Sequence, residues 1–322
     1  MPVAHPAPIA SPDIAVLIPT FNRRDVVVRC LAALAQQTVA PERIEIVVVD
    51  DGSSDGTAAA VTAAARGMAS AVRCVSQANA GANAARNRGI DLATAPLLLI
   101  INDDTIATPA LVGEHLRVHA DYPAEEVAVL GQMVIAPELP FSLFHALHHE
   151  ASFAPFAGLR ELDWKAFLTS NISVKRRFLD RVGRFDEGLR WHEDIELGER
   201  LAQHGLRLLY TPAALAHHLH MLDEAAYLRI ADREGQALVQ WYMRRPDLLP
   251  DLVALGFNAA PLGTRRPRHV AADLAITRLS YPLWCALARA LARLTPEGAR
   301  IVYRKLFQWR KRQAITAELA AR

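Results

Sequence analysis

Two adjacent carboxylates, Asp103 and Asp104, follow an almost wholly apolar run in "LLLIINDDTI" (97–106). Adjacent carboxylates repel, and taking them out of water without a positive partner is costly. Hard oxygen ligands of this kind suit Mg²⁺ or Mn²⁺, which bind one or two carboxylates together with substrate phosphates. A divalent ion would supply the missing charge; a polar turn with exposed carboxylates is the alternative. A second acidic pair, Glu193 and Asp194, stands in "WHEDIELGERL" (191–201) at an expected helix start. A carboxylate there serves either as a general base or as a partner for the helix dipole. A third pair, Asp50 and Asp51 in "VVVDDGSSDGT" (47–57), ends a strand, and the serines behind it can cap the next helix. The cluster "AHHLH" (216–220) adds His217, His218 and His220, and histidine is a common metal ligand.

The elements that must position these groups alternate. "IAVLIPT" (14–20), "IEIVVVD" (44–50), "AVRCVS" (71–76) and "PLLLII" (96–101) read as strands, with helical stretches between them. Strands apolar on both faces and joined by helices imply a parallel sheet covered by helices, with ligands at the carboxyl ends of the strands. Pro19 to Asn22, Asp50 to Ser54 and Asn102 to Asp104 all fall there. A second stretch carries strands at "VAVLGQMVI", "FLTSNISVKR" and "LRLLYTP", and a helix at "HEDIELGERLAQHG" closed by Gly205. "PELPFSLFHALHHEASFAPF" reads as a long, mobile connection. From Leu222 the pattern is helical, broken at "FNAAPLGTRRPRH" (257–269).

The 322 residues, 52% hydrophobic and 22% charged, describe a globular chain rather than a disordered one. Net charge is +2, but the residues from Arg265 onward carry +10 and those before them −8. Such a basic tail is either a surface for an anionic partner or a solvated helical face. Trp284, Phe307 and Trp309 lie among its arginines, as in interfacial helices, although packing on the same domain or on another subunit would use the same pattern. Three cysteines without metal-like spacing fit a reducing compartment. No basic-then-apolar leader and no long apolar run stand in the sequence, so a cytoplasmic protein, or one peripheral at the inner face of the membrane, is expected. No Gly-x-Gly-x-x-Gly follows the first strand and no Walker-type lysine is present, so neither a dinucleotide fold nor a P-loop is supported.

Six blocks in order, "VLIPTFNR", "VVVDDGSSDGT", "NAGANAARNRGI", "INDDT", "VGRFDEGLRWHEDIELGERLAQHG" and "YTPAALAHH", resemble the family 2 glycosyltransferases of the GT-A fold over roughly residues 13–245. The resemblance implies an α/β fold, a Rossmann-like mixed sheet flanked by helices, here with an α-helical C-terminal extension. The expected divisions are a nucleotide-sugar-binding half at 1–125, an acceptor-binding half at 126–256 and a basic helical extension at 257–322. It implies an inverting transfer from a nucleotide-sugar, UDP by default, to a glycan or lipid-linked saccharide, with no nucleic-acid partner. On the matching positions, Pro19, Phe21, Asn22, Asp51, Asn79, Arg86 and Asp103 would line the donor pocket. Asp104 and His218 would hold Mn²⁺ or Mg²⁺, with His217 the register alternative to His218 and His220 a weaker one. Asp194 would be the base, with Glu193 beside it, and Trp191 and His192 would meet the acceptor, although Trp191 suits a packed core equally. Asn102 stands where the family often has an aspartate, one charge fewer for the metal. The rival classes are a sugar-phosphate nucleotidyltransferase, which would need a glycine-rich loop after the first strand, and a non-catalytic nucleotide-sugar-binding module.

Overall fold

The computed structural model describes residues 11–257 and 275–322. The expected break at 257–269 lies, from residue 258 on, outside the described residues. The chain forms two compact units, one of Met1–Leu139, Pro155–Glu187 and Glu193–His220, the other of Pro140–Ala154, Gly188–His192 and Met221–Arg322.

The first unit holds one mixed sheet of nine strands, β1 (Ile14–Thr20), β2 (Ile44–Asp50), β3 (Ala71–Ser76), β4 (Leu97–Ile101), β5 (Thr105–Ala107), β6 (Val127–Ile135), β7 (Glu161–Leu162), β8 (Asn171–Lys175) and β9 (Arg207–His218). Their order is β3-β2-β1-β4-β8-β6-β9-β5, with β7 on β9. The first four strands run parallel, β8 runs antiparallel to both β4 and β6, and β6 and β9 are again parallel. The β-branched runs of β1 and β2 are almost wholly buried, as central strands covered on both faces must be. β3 lies at the sheet edge and is mostly accessible. Helices α1 (Arg24–Leu34), α2 (Thr57–Ala65), α3 (Ala82–Leu92) and α4 (Leu111–Asp121) return the chain between strands, followed by α6 (Arg176–Val182) and α7 (Glu193–Ala202). Each of α1 and α3 turns one stripe inward: Val27, Cys30, Leu31 and Leu34 from α1, and Ala85, Arg86, Gly89 and Ile90 from α3.

Against the N-terminal half of β8 lies a buried polar cluster. His115 on α4 reaches Ser173 Oγ at 2.8 Å and Asn171 Oδ1 at 3.0 Å, and His119 Nε2 lies 2.9 Å from the same Ser173 Oγ. Asn171 donates Nδ2 to the carbonyls of Ala214 (2.8 Å) and Gln132 (3.3 Å), beside the β6–β9 register shift where residues 212–214 of β9 bulge opposite Gly131 and Gln132. Burial lowers His115 to about 4 and His119 to about 3, so both are neutral at ordinary pH.

The second unit is helical: α5 (Leu143–Ser152), α8 (Glu224–Arg244), α9 (Leu249–Ala254), α10 (Tyr281–Leu294) and α11 (Pro296–Ala320). The stretch expected to be a mobile connection therefore contains α5, whose Phe144 packs edge-on against Tyr303 at 4.8 Å. α8 begins on an Asp223 cap that accepts from Ala226 N–H at 2.6 Å. α8 and α11 approach so closely that a Cβ on Gly235 would meet the Lys311 carbonyl oxygen at 2.6 Å. The aromatic residues expected on an interfacial face point inward instead. Trp309 is buried and stacks on Tyr281 at 4.9 Å, Phe307 packs on Tyr227 at 4.9 Å, and Trp284 donates Nε1 to the Ala275 carbonyl at 3.0 Å. Part of the tail's positive charge is also met inside the unit, by Arg289–Glu224, Arg310–Asp232 and Lys311–Glu234 pairs. Among the described residues no helix is long and apolar enough to cross a membrane.

Candidate functional site

The positive partner of Asp103 and Asp104 is an arginine to which the sequence reading gave no role. Arg23 Nε stands 3.2 Å from Asp103 Oδ1, and its Nη2 stands 2.7 Å from Asp104 Oδ2. Thr20, at the end of β1, donates Oγ1 to Asp103 Oδ2 at 2.8 Å. Strand pairing supplies the other side: Thr105 of β5 lies opposite His218 of β9, which puts His218 Nε2 3.4 Å from Asp104 Oδ1. That separation allows charge attraction rather than a well-formed hydrogen bond, and Asp104 Oδ1 is buried without a hydrogen-bond donor. His217 pairs with Ile106, and the pleat turns neighbouring strand residues to opposite faces. His220 lies with its ring 5.7 Å from that of His218. Asn102 is partly exposed at the head of the turn, and its carbonyl accepts from Thr105 N–H at 3.2 Å.

Burial is the largest influence on both carboxyls, and it raises them. For Asp103 burial, helped by the neighbouring Asp104 charge, wins over Arg23 and Thr20, and the carboxyl is pushed up to about 6. For Asp104 burial is outweighed by His218, then Arg23 and His220, and the group is held down to about 2. Beneath the pair the buried Cys30 thiol is pushed well up by burial and by both carboxylates. One guanidinium therefore leaves this pair short of positive charge. A hard divalent ion fits the donors present, the bare Asp104 Oδ1 and the imidazole facing it. Among the described residues no cluster of three or more His, Cys, Asp or Glu could hold a metal unaided. Mg²⁺ and Mn²⁺ ordinarily complete their shells with water and phosphate oxygens.

The β2 end is built as a brace for the loop at 77–81. Asp51 accepts at Oδ1 from Gln77 Nε2 (2.8 Å) and Ala80 N–H (2.9 Å), and at Oδ2 from Gly81 N–H (2.8 Å). A carboxylate has about four acceptor sites, so roughly one is left for a ligand. Asn79 donates Nδ2 to the Asp51 carbonyl at 2.9 Å. Gly52, at φ +82°, lies so near this loop that a Cβ would meet Asn79 N at 3.0 Å, so a side chain there would be strained and would crowd the loop. Asn22, in the left-handed region at φ 51°, accepts from Ser54 N–H at 2.8 Å and donates its own N–H to Ser53 Oγ at 2.7 Å. It thus fastens the β1 and β2 loops together. Phe21 on the same loop is 46% exposed, and Pro19 pairs with Val49 within the sheet.

Arg86 is buried on the inner face of α3. Its Nη1 donates to Asn83 Oδ1 at 2.9 Å and to Glu193 Oε1 at 2.8 Å, and its guanidinium lies 5.4 Å from the Phe185 ring centroid. It therefore joins α3 to the start of α7. There Asp194 accepts from Ile195 N–H at 2.8 Å through Oδ1, with Thr169 N–H at 3.4 Å from Oδ2. Burial first, and the Glu193 charge second, push the Asp194 carboxyl up to about 7, against the pull of Arg86. Trp191 and His192 belong to the other unit, where the Trp191 ring lies 5.8 Å from the Arg233 guanidinium and His192 adopts φ 60°.

The model of "Glycosyl transferase family 2" matches residues 15–180. Validoxylamine A glucosyltransferase of Streptomyces hygroscopicus subsp. limoneus is 31% identical over 86% of this chain and 65% of its own length. Succinoglycan biosynthesis protein ExoU of Rhizobium meliloti is 31% identical over 62% of this chain and 64% of its own. The chain thus spans just under two thirds of both relatives. A solved mannosyltransferase, PcManGT from Pyrobaculum calidifontis in complex with GDP-Man and Mn²⁺, superposes with a TM-score of 0.64 over 99% of this chain and 90% of that one, at 21% identity. S. aureus TarS 1-349 in complex with UDP-GlcNAc gives 0.58 over 96% and 92%, at 14% identity. These two likenesses establish the shared GT-A-type fold, a curled mixed sheet with flanking helices. The family match itself, running from β1 through β8 and most of α6 over more than half of the chain, makes this chain a member of glycosyltransferase family 2.

Proposed function

We propose that the chain transfers a sugar from a nucleoside-diphosphate sugar to a hydroxyl of a glycan or lipid-linked saccharide, with inversion and with Asp194 as the base. The observation that carries this reading is the place of Asp194 in the first turn of α7, next to the Arg86–Glu193 ion pair. The Asp194 carboxyl is pushed up to about 7, where a general base works best at neutral pH, and only one of its oxygens is tightly held by backbone. Titration near 7 lets Asp194 take the acceptor proton while the hydroxyl attacks. Burial raises that titration most; Glu193 raises it further and Arg86 pulls it down. No covalent nucleophile is required for a single displacement.

Donor recognition is assigned to the strand ends. The exposed Phe21 offers a face for a nucleobase, and Asp51 with Asn79 shapes the loop that would receive the ribose. Asp104 and His218 would hold Mn²⁺ or Mg²⁺, which when bound offsets charge on the departing diphosphate. Support for a nucleotide-sugar donor comes from the ligands of the two solved neighbours, and support for a polysaccharide acceptor from the name of ExoU. Trp191 and His192 keep the acceptor role that their place in the sequence suggests. The three cysteines are unpaired, which supports a reducing, cytoplasmic setting. A peripheral membrane contact would rest on the exposed Leu283, Leu287 and Leu294 of α10 rather than on the packed aromatics. Flotation with anionic vesicles tests that point, and binding indifferent to anionic lipid removes it.

A thermal-shift screen of nucleotide-sugars with Mn²⁺ tests the donor assignment. A donor at a hundredfold excess over its Kd should stabilise the fold by about 2.7 kcal/mol, with the effect lost in EDTA. No stabilisation by any UDP- or GDP-sugar would contradict the reading.

A further inference from the structure

Arg23 occupies a position that local rules disfavour. It is the N-cap of α1, where Ser, Thr, Asp or Asn is preferred, and its side chain makes no capping bond. A cation at the positive end of a helix is also unfavourable. Such a conflict calls for compensation elsewhere, and here it comes from Asp103 and Asp104: Nη2 donates to Asp104 Oδ2, while Nε stands 3.2 Å from Asp103 Oδ1 as an ion pair without a hydrogen bond. A lysine, a point charge without a fork, could not span both in this way.

The backbone carrying this side chain is fixed. Asn22 N–H donates to Ser53 Oγ at 2.7 Å, Arg23 N–H to Thr57 Oγ1 at 3.2 Å and Arg24 N–H to Asp55 Oδ2 at 3.1 Å, while Asn22 Oδ1 accepts from Ser54 N–H at 2.8 Å. The side chain is freer, at 30% accessible against 9% for either carboxylate. Since the backbone is anchored, release from the pair would have to come from the side chain rather than from movement of β1 or α1. The charges are also unequal, two carboxylates against one guanidinium. A divalent ion at the bare Asp104 Oδ1 would match them better, and it would repel the arginine.

We propose that Arg23 is an exchangeable counter-ion: it neutralises Asp103 and Asp104 in the ion-free protein, gives them up to the divalent ion, and then engages the donor's diphosphate. This rests on the assignment of Asp104 as a metal ligand. Guanidinium suits the second task, since it binds phosphate oxygens through paired N–H groups. The exchange keeps two buried carboxylates from ever being left together without a cation. It also makes Arg23 a competitor for metal and a contributor to nucleotide binding, two effects of opposite sign from one side chain.

Calorimetry of Mn²⁺ alone, and of UDP and GDP at saturating Mn²⁺, separates these effects in wild type, Arg23→Ala, Arg23→Met and Asp104→Asn. Arg23→Met keeps the aliphatic stem and carries the test should the alanine variant unfold, as judged by circular dichroism. Removing the guanidinium should tighten Mn²⁺ by on the order of tenfold and weaken the preferred nucleotide by a similar factor, each tenfold being about 1.4 kcal/mol. Mn²⁺ affinity unchanged or weaker without Arg23 would overturn the exchange, leaving the arginine a plain brace. Nucleotide affinity unchanged would overturn its second task. Asp104→Asn reports on the underlying assignment by itself: wild-type Mn²⁺ binding in that variant, or no binding in the wild type, removes the metal site and the exchange with it.

Discussion

Arg86 Nη1 lies 2.8 Å from Glu193 Oε1, and this ion pair, 7% and 17% accessible, adjoins Asp194 in the chain. It sets the charge that the Asp194 carboxyl feels: Glu193 raises its pKa and Arg86 lowers it. The two substitutions therefore move activity in opposite directions along the pH axis. As the proposed base, Asp194 would have to be ionised, so activity should fall as pH drops through about 7. Glu193→Gln should shift this acidic limb to lower pH, and Arg86→Met to higher pH, each by about one unit or more. Initial rates of nucleoside diphosphate release from pH 5 to 9 give the comparison. Limbs that stay in place in both variants would separate this pair from the catalytic group.

The histidine cluster under β8 makes stability fall in acid. His115 and His119 titrate at about 4 and 3 in the fold, against an ordinary 6.5. With folded values depressed, the unfolded chain binds more protons between these limits. Stability is complete above about 6.5 and declines as pH falls, by up to about 1.4 kcal/mol per pH unit for each histidine. Urea midpoints at pH 7 and pH 5 measure the slope. His119→Gln should be less stable at pH 7 but show a shallower loss on acidification; equal slopes would mean that this histidine titrates alike in both states.

Packing in the helical unit is most sensitive at Gly235. A methyl group there would stand 2.6 Å from the Lys311 carbonyl and 2.8 Å from Ala314 Cβ. Gly235→Ala should cost about 1–3 kcal/mol by forcing α8 and α11 apart. Thermal unfolding reads this directly, and an unchanged or raised Tm would show that the contact relaxes freely.

How much of this was legible in the residues follows from the range of each interaction. The strands at 14–20, 44–50 and 71–76 match β1, β2 and β3 because their apolar, β-branched runs are local signals. The carboxylates could be placed at strand ends for the same reason. Arg23 could not be paired with Asp104 from sequence, since the contact crosses 81 positions and depends on β1 lying beside β4. The signal that did exist was an arginine where a helix should be capped. Leu143, Phe144 and Leu147 of α5 do repeat at helical spacing, but in a long aromatic stretch between two strands that pattern did not stand out from an irregular connection. The tail's aromatics looked interfacial until their partners, Tyr227 and Tyr281, stood opposite them in space. Its positive charge likewise looked unpaired because Glu224, Asp232 and Glu234 lie on a distant helix.

The most direct test of the catalytic reading is the Asp194→Asn variant, assayed for both donor binding and turnover. Calorimetry with the preferred nucleotide-sugar and Mn²⁺ should give the wild-type Kd, because the base touches the acceptor proton rather than the donor. Release of nucleoside diphosphate should fall by roughly 10²–10⁴-fold, the range for a general base. Turnover near the wild-type rate, or binding lost together with activity, would contradict the assignment of Asp194 as the base.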